Sequence, residues 1–313
     1  SGQVTAKALT VTAPSLSRHF SQALPASLTP AITGFVNSET TSALSSIPTC
    51  TTTYTITSVV GSSQSTSCSG GVATNYSFTY VSGVVTVTTL VRTIEVASNK
   101  SSMVYGESAA LTVTPSIGAN DGTINISITG SGCAFGVNSS TVTAIDPNST
   151  CTIEASITGG LNYNDATATP LVISLTKKNL TISGLSTTSK TYDGTLLVPV
   201  SGGSLVGLIN SDSVTVTTSA RFADKIVGRN KPVTAISTIS GAAASKYTLI
   251  QPTLPGETIT AATVNVAGLT VRSRPANGSR VAVVDGTPTL SGIVVGDAVS
   301  LINYSQGLFE TST

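Results

Sequence analysis

The residues with the most definite chemistry are four cysteines, one histidine and two Asp-Gly pairs. Cys50 and Cys68 lie 18 positions apart, and so do Cys133 and Cys151. Four cysteines allow three connectivities, of which two local disulfides, Cys50–Cys68 and Cys133–Cys151, are the natural reading. A loop of this length stabilises a fold by about 3 kcal/mol in the chain-entropy view. Such pairs imply an oxidising compartment. Zinc is the competing use of cysteine, but no Cys-x-x-Cys occurs and the sole histidine is His19.

A Ser-His-Asp or Cys-His centre would depend on His19. Its neighbours Arg18 and Phe20 suggest an exposed turn or edge instead. Asp193-Gly194 and Asp285-Gly286 read first as turns, because glycine supplies a positive φ and aspartate bonds its own backbone. Acids are too sparse for a calcium loop, and no Asp-x-Asp-x-Asp-Gly occurs. Lys7, Lys178 and Lys190 lie near expected strand starts, where a Lys–Asn or Lys–Asp isopeptide bond has the right residue type but no identified partner. The reading is therefore a protein without catalytic residues, cofactor or metal.

The elements that must carry these residues are strands. Segments 51–59, 84–89 and 213–218 alternate small polar and apolar side chains, the period that puts one face on a core and the other in water. Gly, Pro, Asn and Asp break these runs at short intervals. No amphipathic helix of useful length is visible. Charged residues make up only 9 % of the 313 positions, net charge is +1, and hydrophobic residues reach 40 %. That charge fraction is far below the roughly 25 % of ordinary soluble domains. The apolar content still supplies cores and argues against disorder. Basic residues are scattered singly, which excludes nucleic acid as a partner. No apolar run approaches the roughly 20 residues of a membrane span.

Two markers repeat. Gly34-Phe35-Val36-Asn37-Ser38-Glu39 recurs as Gly207-Leu208-Ile209-Asn210-Ser211-Asp212 and again as Gly292-Ile293-Val294-Val295-Gly296-Asp297. The form is Gly, two apolar residues, two turn-like residues and an acid. Copies are 173 and 85 positions apart, so a period near 85 explains both spacings. The second marker is a tyrosine before a closing strand: Tyr76, Tyr163 and Tyr247, spaced by 87 and 84 positions. Each is expected to anchor a corner, with the ring buried and the hydroxyl bonded to nearby backbone. No Gly/Ser or Pro-rich spacer separates the repeats, so modules are expected end to end as a rod.

Lys190-Thr191-Tyr192-Asp193-Gly194-Thr195, Ser201-Gly202-Gly203, Phe222-Ala223-Asp224-Lys225 and Lys246-Tyr247-Thr248-Leu249 together resemble a YDG domain, a repeat of very large bacterial surface proteins, over about 178–262. Ala6 to Val11, Gly34 to Glu39 and Asn75 to Tyr80 resemble the related MBG domain over 1–90, with a departure at Arg18-His19-Phe20, where that family usually has a Tyr-Gly turn. Residues 91–177, with Val104-Tyr105-Gly106-Glu107, are similar to a bacterial Ig-like repeat, and 263–313 resemble an incomplete second YDG copy. The fold expected is all-β, as tandem Ig-like β-sandwich modules.

The resemblance implies an extracellular, cell-surface setting and a structural stalk of a secreted adhesin. Its partners are then neighbouring modules of the same parent chain. A second reading is a self-assembling filament or sheath subunit, in which copies of the chain exchange strands. There the last module offers an open edge and Gln3-Val4-Thr5-Ala6 is the donor. A third is a ligand-binding adhesin module, although tryptophan, the usual sugar platform, is absent.

Overall fold

The computed structural model describes residues 2–209 and 212–310. Asn210 and Ser211, two positions of the second Gly-led motif, lie outside the described residues. The fold is all-β, a series of small sheets paired as tandem Ig-like sandwiches, with short 3-10 turns at Thr41–Ala43 and Ala244–Lys246. It divides into two compact units, Ser1–Thr176 and Lys177–Thr313.

In the first unit, the opening strand Lys7–Thr12 lies between Ala31–Thr33, antiparallel, and Tyr76–Val81, parallel. The facing sheet runs in the order Leu16–His19, Gly83–Thr88, Ser63–Ser69, Thr49–Thr52. Period-two alternation sends Leu9 and Val11 from one sheet, and Val85 and Val87 from the other, into full burial. First and last strands change sheet together and stay parallel in both. Gly83 makes this crossing possible, because a Cβ there would lie 2.5 Å from the Pro14 carbonyl oxygen. Residues 2–6 form no strand, and Val4 is 98 % exposed.

The run expected as a strand over 51–59 stops at Thr52. Tyr54 instead turns inward against Val85 and Val87. Its hydroxyl donates to the Gln22 carbonyl at 2.5 Å, while Thr52 and Ser58 hydroxyls accept the Tyr54 and Thr55 N–H groups. Hydroxyl side chains here compete with the ladder for backbone.

The same unit holds a second sandwich. One sheet runs Cys133–Phe135, Thr141–Ala144, Ser108–Pro115, Ile94–Ser98, and the other centres on Thr152–Thr158 beside Thr123–Thr129. Met103, Val142, Ile153 and Ile173 fill the space between them. Ser102–Val104 and Ser174–Thr176 again pair parallel.

In the second unit, Lys178–Thr187 lies between Val200–Val206, antiparallel, and Tyr247–Leu249, parallel. Lys190–Thr191 pairs parallel with Glu257–Thr260. Thr215–Phe222 lies between Leu197–Val198 and Val233–Ser240, and Val198, Ala220, Phe222 and Ile259 form the core. The last strands are Asn265–Ala267 with Thr289–Ser291, and Val281–Asp285 between Thr270–Val271 and Gln306–Leu308.

Candidate functional site: tyrosine–carboxylate clamps and joint contacts

The two repeat markers are the two halves of one interaction. The leading glycine sits at φ 107° in Gly34 and 101° in Gly207. A Cβ there would meet the carbonyl oxygen of Ala8 at 2.9 Å or of Asn179 at 3.0 Å, so only glycine fits. The acid then closes a turn: Glu39 N–H donates to the Val36 carbonyl at 3.0 Å, and Asp212 N–H to that of Ile209 at 2.9 Å.

Into this turn comes the tyrosine. Tyr76 is buried, with its ring edge-on to Phe35 at 5.5 Å. Its hydroxyl accepts from Val36 N–H at 3.3 Å and donates to the Glu39 carboxylate. That bond to Glu39 is the main reason the Tyr76 hydroxyl is pushed above its ordinary 10.0. Tyr247, also buried, repeats the geometry: its hydroxyl accepts from Ile209 N–H at 3.0 Å and donates to Asp212. In both places the hydroxyl takes a backbone N–H and an acid together, and the acid carries no sequence signal of its role.

Tyr163 differs. Among the described residues its hydroxyl makes no such clamp, and the loop is held by Asp121 instead. The Asp121 carboxylate accepts N–H bonds from Leu161 at 2.8 Å, Asn162 at 2.7 Å and Tyr163 at 3.0 Å. These bonds, led by Leu161 and aided by the Arg92 charge, hold its carboxyl below the usual range. The Tyr163 ring meets Phe20 edge-on at 5.7 Å and carries the Arg92 guanidinium at 5.7 Å. Arg92 is 3 % exposed and donates to the carbonyls of Asn164 and Gly118, each at 2.9 Å. Leu90 N–H donates to the Asn162 carbonyl at 3.0 Å. The two sandwiches of the first unit are thus joined by Phe20 and Leu90 on one side and the 161–164 loop on the other, a loop that Arg92 and Asp121 brace from within the second sandwich. Sequence reasoning passed over Arg92 and Asp121. Their signal was an isolated charge beside a strand boundary in a charge-poor chain.

A third device recurs at the end of each closing strand. Phe20, Tyr105 and Tyr192 donate their backbone N–H to the carbonyls of Thr88, Thr176 and Thr260 at 2.9, 2.9 and 2.8 Å. Phe20 therefore stands where Tyr105 and Tyr192 stand in their own sandwiches. Ser21, at φ 63°, takes the role of Gly106, at φ 82°. The Tyr192 hydroxyl donates to Asp297 at 3.0 Å, and that contact raises its pKa.

Asp193 and Gly194 form a turn, Gly194 at φ 76°. Asp193 accepts from Thr195 N–H at 2.9 Å and pairs with Lys190 Nζ at 2.7 Å. Lys190, first among the causes, lowers the Asp193 carboxyl to about 2. Asp285 instead ends a strand and forms an exposed two-pronged pair with Arg272, at 2.8 and 2.9 Å; the turn glycine is Gly286, at φ 111°. Cys50–Cys68 joins directly opposed residues of neighbouring strands within one sheet. Cys133–Cys151 links the two sheets of its sandwich inside the core. His19 ends an edge strand, with Nδ1 2.8 Å from the Thr89 carbonyl oxygen. Among the described residues no group of three or more His, Cys, Asp or Glu is placed to hold a metal ion. No helix in them is long and apolar enough to cross a membrane.

Parallel-closed sandwiches, repeated clamps and aromatic strand-end anchors define a protein built of tandem Ig-like repeat modules. Residues 9–86 match the MBG domain (YGX type), and residues 176–254 match the YDG domain. Both are repeat modules characteristic of bacterial cell-surface adhesins, and the chain has that general role. No curated protein matches the chain in sequence. Among solved structures, murine CEACAM1b is similar at 11 % identity and a TM-score of 0.23, over 53 % of this chain and 99 % of that one, a likeness too slight to carry an argument.

Proposed function

We propose that the chain is a structural stalk segment of a large secreted bacterial adhesin, with modules at 1–90, 91–177, 178–262 and 263–313. The observation that supports this is the joint at which Phe20 and Leu90 of one sandwich meet Tyr163 and Asn162 of the next, in a loop that the buried Arg92 holds from within its own sandwich, with no flexible spacer between them. A module that only displayed a ligand site would not need its neighbour fixed in this way. Each sandwich buries its own core, and order passes between neighbours, as in other repeat arrays.

The test is small-angle scattering on the wild-type chain and a Phe20→Ala/Arg92→Ala variant. A stalk segment gives one extended conformer that becomes heterogeneous in the variant. A wild-type chain as heterogeneous as the variant sinks the reading.

The self-assembly reading draws support from one feature: among the described residues, Asn265–Ala267 pairs with Thr289–Ser291 alone. Sedimentation over a range of concentrations separates the two, since the stalk reading requires a monomer. Specific binding on a glycan array would promote the ligand-binding reading instead.

A further inference from the structure

We propose that Tyr192, Asp193 and Gly194 form a coupling site whose partner is the Gly292–Asp297 turn of the strands that follow in the same chain. The Tyr192 hydroxyl decides which turn fits: one that ends in an acid.

Tyr192 is fixed from behind. Its ring packs on the core of Val198, Ala220, Phe222 and Ile259. Its backbone N–H donates to the Thr260 carbonyl at 2.8 Å, at the end of the closing strand Glu257–Thr260. The hydroxyl reaches beyond that sandwich and donates to Oδ1 of Asp297 at 3.0 Å. The next strand starts at Asn265, so only residues 261–264 connect the two. One side chain thus grips the exit strand and the turn beyond the connection.

Its two neighbours suit the same contact. The Asp193 carboxylate accepts from Lys190 Nζ at 2.7 Å and Thr195 N–H at 2.9 Å, so it serves its own turn and leaves the Tyr192 hydroxyl to Asp297. Gly194 lies against the partner, where a Cβ would stand 3.0 Å from Cγ1 of Val294. A side chain at that position would press on the receiving turn.

The bond from Tyr192 does not exhaust Asp297. A carboxylate has two oxygens and about four lone-pair sites. A tyrosine clamp of the kind seen at Glu39 and Asp212 uses one oxygen and is compatible with it.

The first joint shows the same position working with other chemistry. Phe20 N–H donates to the Thr88 carbonyl at 2.9 Å, and its ring meets Tyr163 edge-on at 5.7 Å. There the residue has no hydroxyl, and the loop it meets offers a ring. One position therefore braces both joints, ring against ring in one and hydroxyl against carboxylate in the other. Exchanging the two would leave a hydroxyl facing a ring and an acid facing a phenyl group.

This brace deepens the stalk reading and rests on it for its purpose, but the two are tested apart. The full chain is compared with Tyr192→Phe, which keeps the ring packing, and with Asp297→Asn. The Tyr192 hydroxyl is held above its ordinary 10.0 chiefly by the bond to Asp297, with the Asp193 charge a lesser cause. Tyrosine-labelled NMR should show it titrating nearer 10.0 in Asp297→Asn. Residual dipolar couplings should give the strands within 178–260 and those within 265–308 one shared alignment in wild type. That sharing should be lost in Tyr192→Phe while the couplings within 178–260 still fit one rigid body. An unshifted hydroxyl overturns the proposal, and so does a shared alignment that survives Tyr192→Phe, which leaves the stalk reading standing. A chain that shows both effects and also polymerises sinks the stalk and keeps the brace.

Discussion

The Tyr247 hydroxyl donates to the Asp212 carboxylate while accepting the Ile209 N–H, so one side chain closes a loop 35 residues away in sequence. Removing that oxygen leaves a donor and an acceptor without it. Tyr247→Phe is expected to cost about 1–3 kcal/mol, the scale for losing one neutral and one charge-assisted hydrogen bond at a half-buried turn. Amide exchange in Tyr247–Leu249 and Lys178–Leu180 should accelerate accordingly, with the first unit unaffected.

Tyr76 gives the same clamp a pH signature. Its pKa in the fold is raised above 10.0, chiefly by Glu39. The folded state therefore holds the proton more tightly than the unfolded chain. This contribution is complete below pH 10.0 and is lost as pH rises through the higher folded value. Thermal melts of wild type should fall on alkaline titration more steeply than those of Tyr76→Phe.

Asp193 has the opposite sign. Its folded pKa is about 2 against 3.8 for the free group, with Lys190 as the leading cause. The stability it adds is present above pH 3.8 and is lost as pH falls towards 2. Asp193→Asn should flatten that acid limb in denaturant titrations while lowering stability at neutral pH.

The two disulfides close loops of equal length, 18 residues, but differ in setting. Cys151 is fully buried between sheets, whereas Cys50 is only half-buried on one sheet. Mild reductant with alkylation and mass spectrometry should open Cys50–Cys68 first. Replacing both Cys133 and Cys151 with alanine should cost more than the same change at Cys50 and Cys68. Both lose about 3 kcal/mol of cross-link stabilisation and both leave a cavity, since Cys68 is also buried, but the cavity is larger where both partners are buried, adding about 1 kcal/mol more at Cys133 and Cys151.

At the joint, Arg92→Met keeps the length of the side chain and removes its donors. The carbonyls of Gly118 and Asn164 then lose a charged partner, at a cost of about 2–3 kcal/mol. The loop 161–164 should become protease-sensitive while Cys133–Cys151 and its core stay intact, as limited proteolysis can show.

The sheets were legible because alternation at Leu9 and Val11 or Val85 and Val87 is set by the strand repeat itself. Tyr76 and Tyr247 were legible as anchors because aromatic residues are rare here and these two recur in register. Their pairing with Glu39 and Asp212 was not, because it joins positions 37 and 35 residues apart and depends on how a turn folds back. Tyr163 misled for a local reason: a carboxylate, Asp121, does by backbone capture what a hydroxyl does in the other sandwiches. Thr51 to Val59 misled because its hydroxyls satisfy backbone that a strand would have paired.

The parallel closure of each complete sandwich has a mechanical consequence. Lys7–Thr12 and Tyr76–Val81 run the same way, and so do Lys178–Leu180 and Tyr247–Leu249. The chain enters at the start of one strand and leaves beyond the end of the other. Tension on the polypeptide drags these neighbours past each other along their length and loads their hydrogen bonds together, in shear. An antiparallel terminal pair pulled from adjacent ends would instead unzip bond by bond.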